Sequence, residues 1–187
     1  MNTSLTRLQS FYGGLKAPLL LHAVIRNEFP GTIALATAFA ADAGLLLSMV
    51  ATIDPAVPVL CLPSGSHAAE AAAYGRELTA HLRLTRVHWV TPGGPEPLAE
   101  VLDTMGILAL ITGRTEAGMP RIALDESGVF RINPLAGSTE EERTLEMQKR
   151  NIPPHPLGSR AGTESSALAG LPEAIDAPAT RVIDWTL

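Results

Sequence analysis

Cysteine is almost missing from this chain: its 187 residues hold one, Cys61. One thiol excludes an internal disulfide, a cysteine-based zinc site and an iron–sulfur cluster held within the chain. Aromatic residues are scarce at 4%, so the core has to be built mainly from Ala, Leu, Val and Ile. Positive charge is short as well. The formal net charge is −5 and the pI lies near 5.5, which argues against a general nucleic-acid binder. Lysine is confined to Lys16 and Lys149, against twelve arginines. The longest uncharged runs, Phe29 to Ala41 and Pro55 to Ala69, are too short or too broken by Pro and Gly to span a bilayer. Residues 1–10 lack the apolar block of a secretory signal. The expectation is a cytoplasmic protein with no membrane contact, no metal and no cofactor.

What is present suits a globular fold. The chain is 46% hydrophobic with a mean hydropathy of +0.18, and its length fits one domain with a proper core. Leu15 to Phe29 predicts an amphipathic helix with Leu15, Leu19, His22, Ala23 and Ile25 inward, stopped by Pro30-Gly31. Thr32 to Thr37 predicts a buried strand, and Ala43 to Ile53 a helix opened by Asp42 and ended by Asp54-Pro55. Val57 to Leu62, Arg86 to Thr91 and Gly106 to Thr112 predict three more strands. Between them lie alanine-rich helical sequence from Ala68 to Leu84 and a short helix from Pro97 to Thr104.

Short apolar strands alternating with helices predict an α/β fold: a Rossmann-like, doubly wound, mostly parallel sheet. Ile122 to Leu124 and Val129 to Ile132 then predict a hairpin around Glu126-Ser127-Gly128. Ser138 to Glu141 predicts a capping box for a helix reaching Lys149. Residues 1–157 are expected to form one α/β domain with this hairpin–helix extension. Residues 158–187 form a Gly-, Ser-, Ala- and Pro-rich tail in which Val182 to Trp185 is a candidate anchor.

Sheets of this kind bind ligands at the carboxyl ends of their strands. The first such loop, Thr37-Ala38-Phe39-Ala40-Ala41-Asp42, is either a phosphate cradle at a helix N-terminus or a turn capped by Asp42 alone. After the fourth strand come Gly113 and Arg114, with Arg121 and Arg131 behind. Guanidinium groups there suit phosphate or sulfate, or else pair with Glu116, Asp125 and Glu126. Arg160 either closes over a ligand or is solvated. The five histidines show no metal-ligand spacing. His22 is expected in the core, and His67 is the one placed near the presumed site. Cys61 falls on a buried strand and reads as a small hydrophobe. There is no nucleophile elbow and no Walker loop.

The landmarks run in order: Thr37 to Asp42; Ile53-Asp54-Pro55 before Val57-Pro-Val-Leu60; Ser64-Gly65; Thr112-Gly113-Arg114; Arg131-Ile-Asn-Pro-Leu-Ala136; and Ile152-Pro-Pro-His-Pro-Leu157. From about Leu19 to Leu157 the chain resembles the sulfonucleotide reductases, which act on phosphoadenylyl sulfate (PAPS) or adenylyl sulfate (APS) and have an adenine nucleotide alpha-hydrolase-like fold. The candidate nucleotide or sulfate contacts are Thr37, Ala38, Phe39, Asp42, Ser64, Gly65, Gly113, Arg114, Arg121 and Arg160, and the resemblance implies that Arg114 and Arg121 fall where sulfate- and phosphate-binding arginines are expected. It also shows departures. The family's Ser-Phe-Gly loop reads Ala38-Phe39-Ala40, its Asp-Thr-Gly reads Pro63-Ser64-Gly65, and the arginine loop is about two residues shorter. The reductases attack sulfur with a cysteine in a C-terminal Glu-Cys-Gly-Leu/Ile-His motif, and APS-type members carry cysteine pairs for a 4Fe-4S cluster. Here the corresponding stretches are Arg181 to Leu187 and Gly162 to Leu168, without cysteine.

The expected function is therefore binding of PAPS, APS or another adenine nucleotide without cysteine-based reduction, and no residue is assigned as catalytic. The alternative is a non-enzymatic scaffold or accessory subunit in sulfate assimilation, a homo-oligomer built through the Trp185 tail or the Leu15 helix. An adenylyltransferase-like activity is a third reading, weakened by the altered phosphate loop.

Overall fold

The computed structural model describes residues 3–63, 66–90, 98–116 and 118–163. A helix α1 (Thr3–Tyr12) precedes α2 (Ala17–Ala23), which runs into a wide π-type turn, Val24–Glu28. The alternating core follows: β1 (Ile33–Thr37), α3 (Ala43–Ile53), β2 (Val59–Cys61), α4 (Ala68–His81), β3 (Val87–Trp89), α5 (Leu98–Thr104) and β4 (Ala109–Ile111). The hairpin β5 (Ile122–Leu124) and β6 (Phe130–Ile132) then leads to α6 (Glu140–Lys149) and a 3₁₀ turn, Gly158–Ala161.

The strands form one sheet in the order β3-β2-β1-β4-β6-β5. All neighbours are parallel except β5, which runs antiparallel to β6 at the edge. The central strands are apolar on both faces because both are covered. Ile33 and Leu35 of β1 pack with Leu20, Leu21, Leu45 and Leu78 from α2, α3 and α4. Ala34 and Ala36 face the other way, against Leu98 and Leu102 of α5. Helices on both faces make this the doubly wound α/β fold that the alternation predicts. Among the described residues no helix is long and apolar enough to cross a membrane.

Local chemistry places the boundaries. β1 is buried at all five positions, as a central parallel strand has to be. α3 is apolar around most of its circumference and buried from Ala43 to Val50, and Asp54, extended before Pro55, ends it. At the hairpin, Asp125 Oδ1 accepts from the backbone N–H of Ser127 and Val129, both at 3.0 Å. Gly128 there takes the positive φ of 82° that the turn requires.

Three local expectations are corrected. The stretch from Leu15 does not form one α-helix: it starts at Ala17, with Pro18 in its first turn, and widens after Ala23. The buried face is Leu20, Leu21, Val24 and Ile25, at ordinary helical spacing, and Leu19 beside it is 60% exposed. His22 is exposed rather than in the core. The capping box exists one residue later than expected, between Thr139 and Glu142. Ser138 is committed elsewhere, donating its hydroxyl to the Leu135 carbonyl at 2.6 Å.

Candidate functional site

β1 and β4 lie side by side, pairing Leu35 with Ile111, while β2 lies on the far side of β1. Successive connections therefore diverge from this pair, and the crevice at their carboxyl ends is where a doubly wound sheet receives a ligand. The fold brings two of the predicted segments to this edge: the Thr37–Asp42 loop and the Thr112–Arg121 loop.

The first loop is tightly built. The Thr37 hydroxyl, buried, accepts from the Phe39 N–H at 3.0 Å. Phe39 has a φ of 57°, a left-handed conformation that costs a non-glycine residue about 1–3 kcal/mol. Its ring is fully buried and lies against Gly75 of α4, where even a Cβ would come within 2.6 Å of it. The same ring stacks on Trp89 at the end of β3, with centroids 5.5 Å apart and planes 30° apart. The Arg76 guanidinium lies 4.8 Å from the indole centroid. Beyond the bend, Ala41 N–H donates to the Gly162 carbonyl at 3.1 Å, which ties the segment carrying Arg160 to this loop.

Asp42 occupies the N-cap position of α3, as expected, but does not cap the helix with its side chain. Its Oδ2 instead lies 3.0 Å from Arg143 Nε of α6, and both side chains are buried. A guanidinium attracts a carboxylate more strongly than a neutral amide does. Arg143 is held in turn by the Ser138 carbonyl, 2.8 Å from its Nη1.

The second loop is pinned from below by Asn133. The Thr112 hydroxyl donates to Asn133 Oδ1 at 2.6 Å, and Asn133 Nδ2 donates to the Pro120 carbonyl at 3.1 Å. The Asn133 N–H reaches the Arg121 carbonyl at 2.8 Å. Gly113 is buried. Arg114 is half-buried and approaches Glu116 at 3.4 Å. Arg121 donates to the Leu15 carbonyl. Arg131, the further guanidinium candidate, is taken by Asp125 at 2.8 Å. Arg160 is exposed on the 3₁₀ turn. Ser64 and Gly65 lie outside the described residues, as does the proposed anchor at Val182 to Trp185.

Three side chains near this edge had no role in the sequence reading beyond their place in a strand, helix or motif. Arg143 escaped because its partner lies a hundred residues away, and Asn133 and His155 sat inside motifs quoted only as landmarks. His155 is buried, with its ring against the edge of Tyr74 at 4.6 Å. Its Nδ1 accepts from the Leu157 N–H at 3.1 Å, which places the proton of the neutral ring on Nε2. Burial, and secondarily the nearby His67, hold its pKa below the ordinary 6.5. Cys61, at the end of β2 one strand in from the β3 edge, is fully buried.

No family model matches this chain. It is 30% identical over 183 residues to an adenosine 5′-phosphosulfate reductase of Chelativorans sp. (strain BNC1), covering 80% of this chain and 73% of that protein. It is 35% identical over 182 residues to an adenosine 5′-phosphosulfate reductase of Mesorhizobium japonicum, covering 80% of this chain and 70% of that one. In three dimensions it is similar to a phosphoadenylyl-sulfate reductase of Candida auris solved as a phosphate complex. That likeness has a TM-score of 0.68 at 19% identity and spans 84% of this chain and 91% of the other.

Proposed function

The chain belongs to the PAPS/APS reductase family, and from that premise we propose that it binds an adenine sulfonucleotide, PAPS or APS, without itself carrying out thiol-based reduction. The observation that supports binding is the convergence at one sheet edge of the left-handed Phe39 loop with the Arg114–Arg121 loop. Backbone N–H groups around a left-handed bend form a concave anion site, and guanidinium forks pair with phosphate or sulfate oxygens. Thr37, Ala38, Phe39, Asp42, Ser64, Gly65, Gly113, Arg114, Arg121 and Arg160 are the contacts proposed.

Within these 187 residues the sulfur chemistry has no nucleophile at this edge. Attack on a sulfonucleotide sulfur needs an accessible thiolate, and Cys61 is enclosed in β2. Nor do the residues fit a 4Fe-4S cluster, which takes four thiolates where this chain has one.

Calorimetry with PAPS, APS, ATP and AMP tests the binding reading. We expect micromolar binding of a sulfonucleotide, weakened at least tenfold by Arg114→Ala. No heat with any of the four overturns it. Sulfite release with thioredoxin above background overturns the non-reductive part.

The scaffold reading has an observation of its own: several candidate donors already have partners inside the chain. Ala41 N–H meets Gly162, Arg114 meets Glu116 and Arg121 meets Leu15. A stable oligomer in light scattering, with no thermal shift from any nucleotide, is the outcome that favours it.

A further inference from the structure

We propose that Trp89 is a positioning residue for the Thr37–Asp42 loop, and that the Gly75–Phe39–Trp89–Arg76 stack sets the backbone bend on which ligand affinity depends. The proposal rests on the loop being the ligand-binding element described above. It assigns the residues that shape that loop without touching the ligand.

Phe39 is not a residue that adopts a φ of 57° unaided. Something has to hold it there, and its backbone offers one local contact, the N–H to Thr37 Oγ1. The remaining restraint is on the side chain. Its ring is sandwiched where α4 passes closest, at Gly75, a position that admits no Cβ without displacing the ring. It is covered by the indole of Trp89 at 5.5 Å. A ring so enclosed keeps one rotamer, and one rotamer on a fixed Cα fixes the direction of the chain through Ala38, Phe39 and Ala40.

Trp89 is the movable member of this set. It ends the edge strand β3 and is 40% exposed, so it lacks the burial that would lock it by packing alone. The Arg76 guanidinium at 4.8 Å supplies that restraint through the indole face. Arg76 follows Gly75 directly in α4, so one turn of helix both makes room for the Phe39 ring and secures the indole that covers it. The loop itself has no glycine and no proline, and its shape depends on this external clamp.

The test compares Trp89→Ala, Trp89→Phe and Gly75→Ala with the parent chain. Alanine at 75 is the better helix former, so a loss at the loop is not explained by a weakened α4. Hydrogen exchange at the Phe39 and Ala43 amides, which bond Thr37 Oγ1 and the Ala40 carbonyl, reads the bend without any ligand. We expect exchange there to accelerate about tenfold in Trp89→Ala and Gly75→Ala, with Trp89→Phe near parent and exchange in β1 unchanged. Calorimetry with APS and PAPS should show a parallel loss of about tenfold in affinity, restored in Trp89→Phe. Unchanged exchange at these amides in Trp89→Ala overturns the proposal, as does parent-like affinity in both alanine variants. Absence of nucleotide binding by the parent overturns the binding reading instead, and the exchange data still decide this one.

Discussion

Asp42, at the start of α3, and Arg143, in the first turns of α6, form a buried ion pair with 3.0 Å between Oδ2 and Nε. The pair joins the end of the Thr37 loop to the helix that follows the hairpin. A buried charge left without its partner is far costlier than the pair is valuable. Asp42→Ala should therefore destabilise the chain by about 3 kcal/mol, read as a lower urea midpoint. Combining it with Arg143→Met should recover much of that loss, since the methionine fills a similar volume without charge. A double variant no more stable than Asp42→Ala would show that the pair itself, and not the orphaned charge, carries the effect.

Arg114 and Glu116 lie 3.4 Å apart on the shoulder of the second loop, partly exposed. Such a pair is worth about 1 kcal/mol or less. A ligand oxyanion that recruits Arg114 competes with that carboxylate, so Glu116→Gln should raise sulfonucleotide affinity by about two- to fivefold. The melting temperature should stay within about one degree of the parent's, since a surface substitution of this kind costs little. Weaker binding in this variant would place Glu116 on the ligand side of the interaction.

Asn133 spends its side chain on both ends of the arginine loop, through Thr112 and Pro120. Replacing it with alanine strands a buried hydroxyl and a carbonyl, at a cost of about 1–3 kcal/mol. The loop should loosen before the sheet does. Faster hydrogen exchange from Gly113 to Arg121, with β4 amides still protected, is the expected result. Uniform acceleration across the sheet would mean the side chain supports the whole fold rather than the loop.

His155 makes stability depend on pH. Its pKa is lowered on folding by burial, with His67 adding to the effect. The unfolded state then binds a proton more readily than the folded state, so stability is full above about 6.5, the unfolded value. It falls as pH drops through that value towards the lower folded pKa, and levels off below it. Glu28 adds a second decline at lower pH, because the hydrogen bond from Arg7 holds its carboxyl below the ordinary 4.5. Melting temperatures between pH 8 and pH 5 should show the first decline, and His155→Phe should flatten it. An equally steep decline in that variant would assign the effect to another group.

Most of the architecture was legible in the sequence. Strand and helix alternation, the Asp54-Pro55 stop and the turn at Gly128 rest on contacts within a few residues, and those contacts behave as local rules predict. The boundaries of α3 agree with the expectation because the residue before a proline is sterically pushed out of the helical region, as the extended Asp54 is. Ambiguity arose where two residues met the same local rule. Ser138 and Thr139 each have a glutamate three residues on; Ser138 is engaged by Leu135 and Arg143, three and five residues away, and Arg143 is in turn paired with the distant Asp42.

The scarcity of cysteine acquires its meaning from both levels. Sequence alone determined the α/β class, the family likeness and the fact that one thiol serves 187 residues, because each depends on composition and order along the chain. Tertiary structure decided that this thiol is sealed inside β2 and that Asp42 answers to Arg143 instead of capping its own helix. It also decided that Phe39 is held in a left-handed bend by Gly75 and Trp89. Those outcomes join residues dozens of positions apart, and their energies exist only once packing has excluded water from between them.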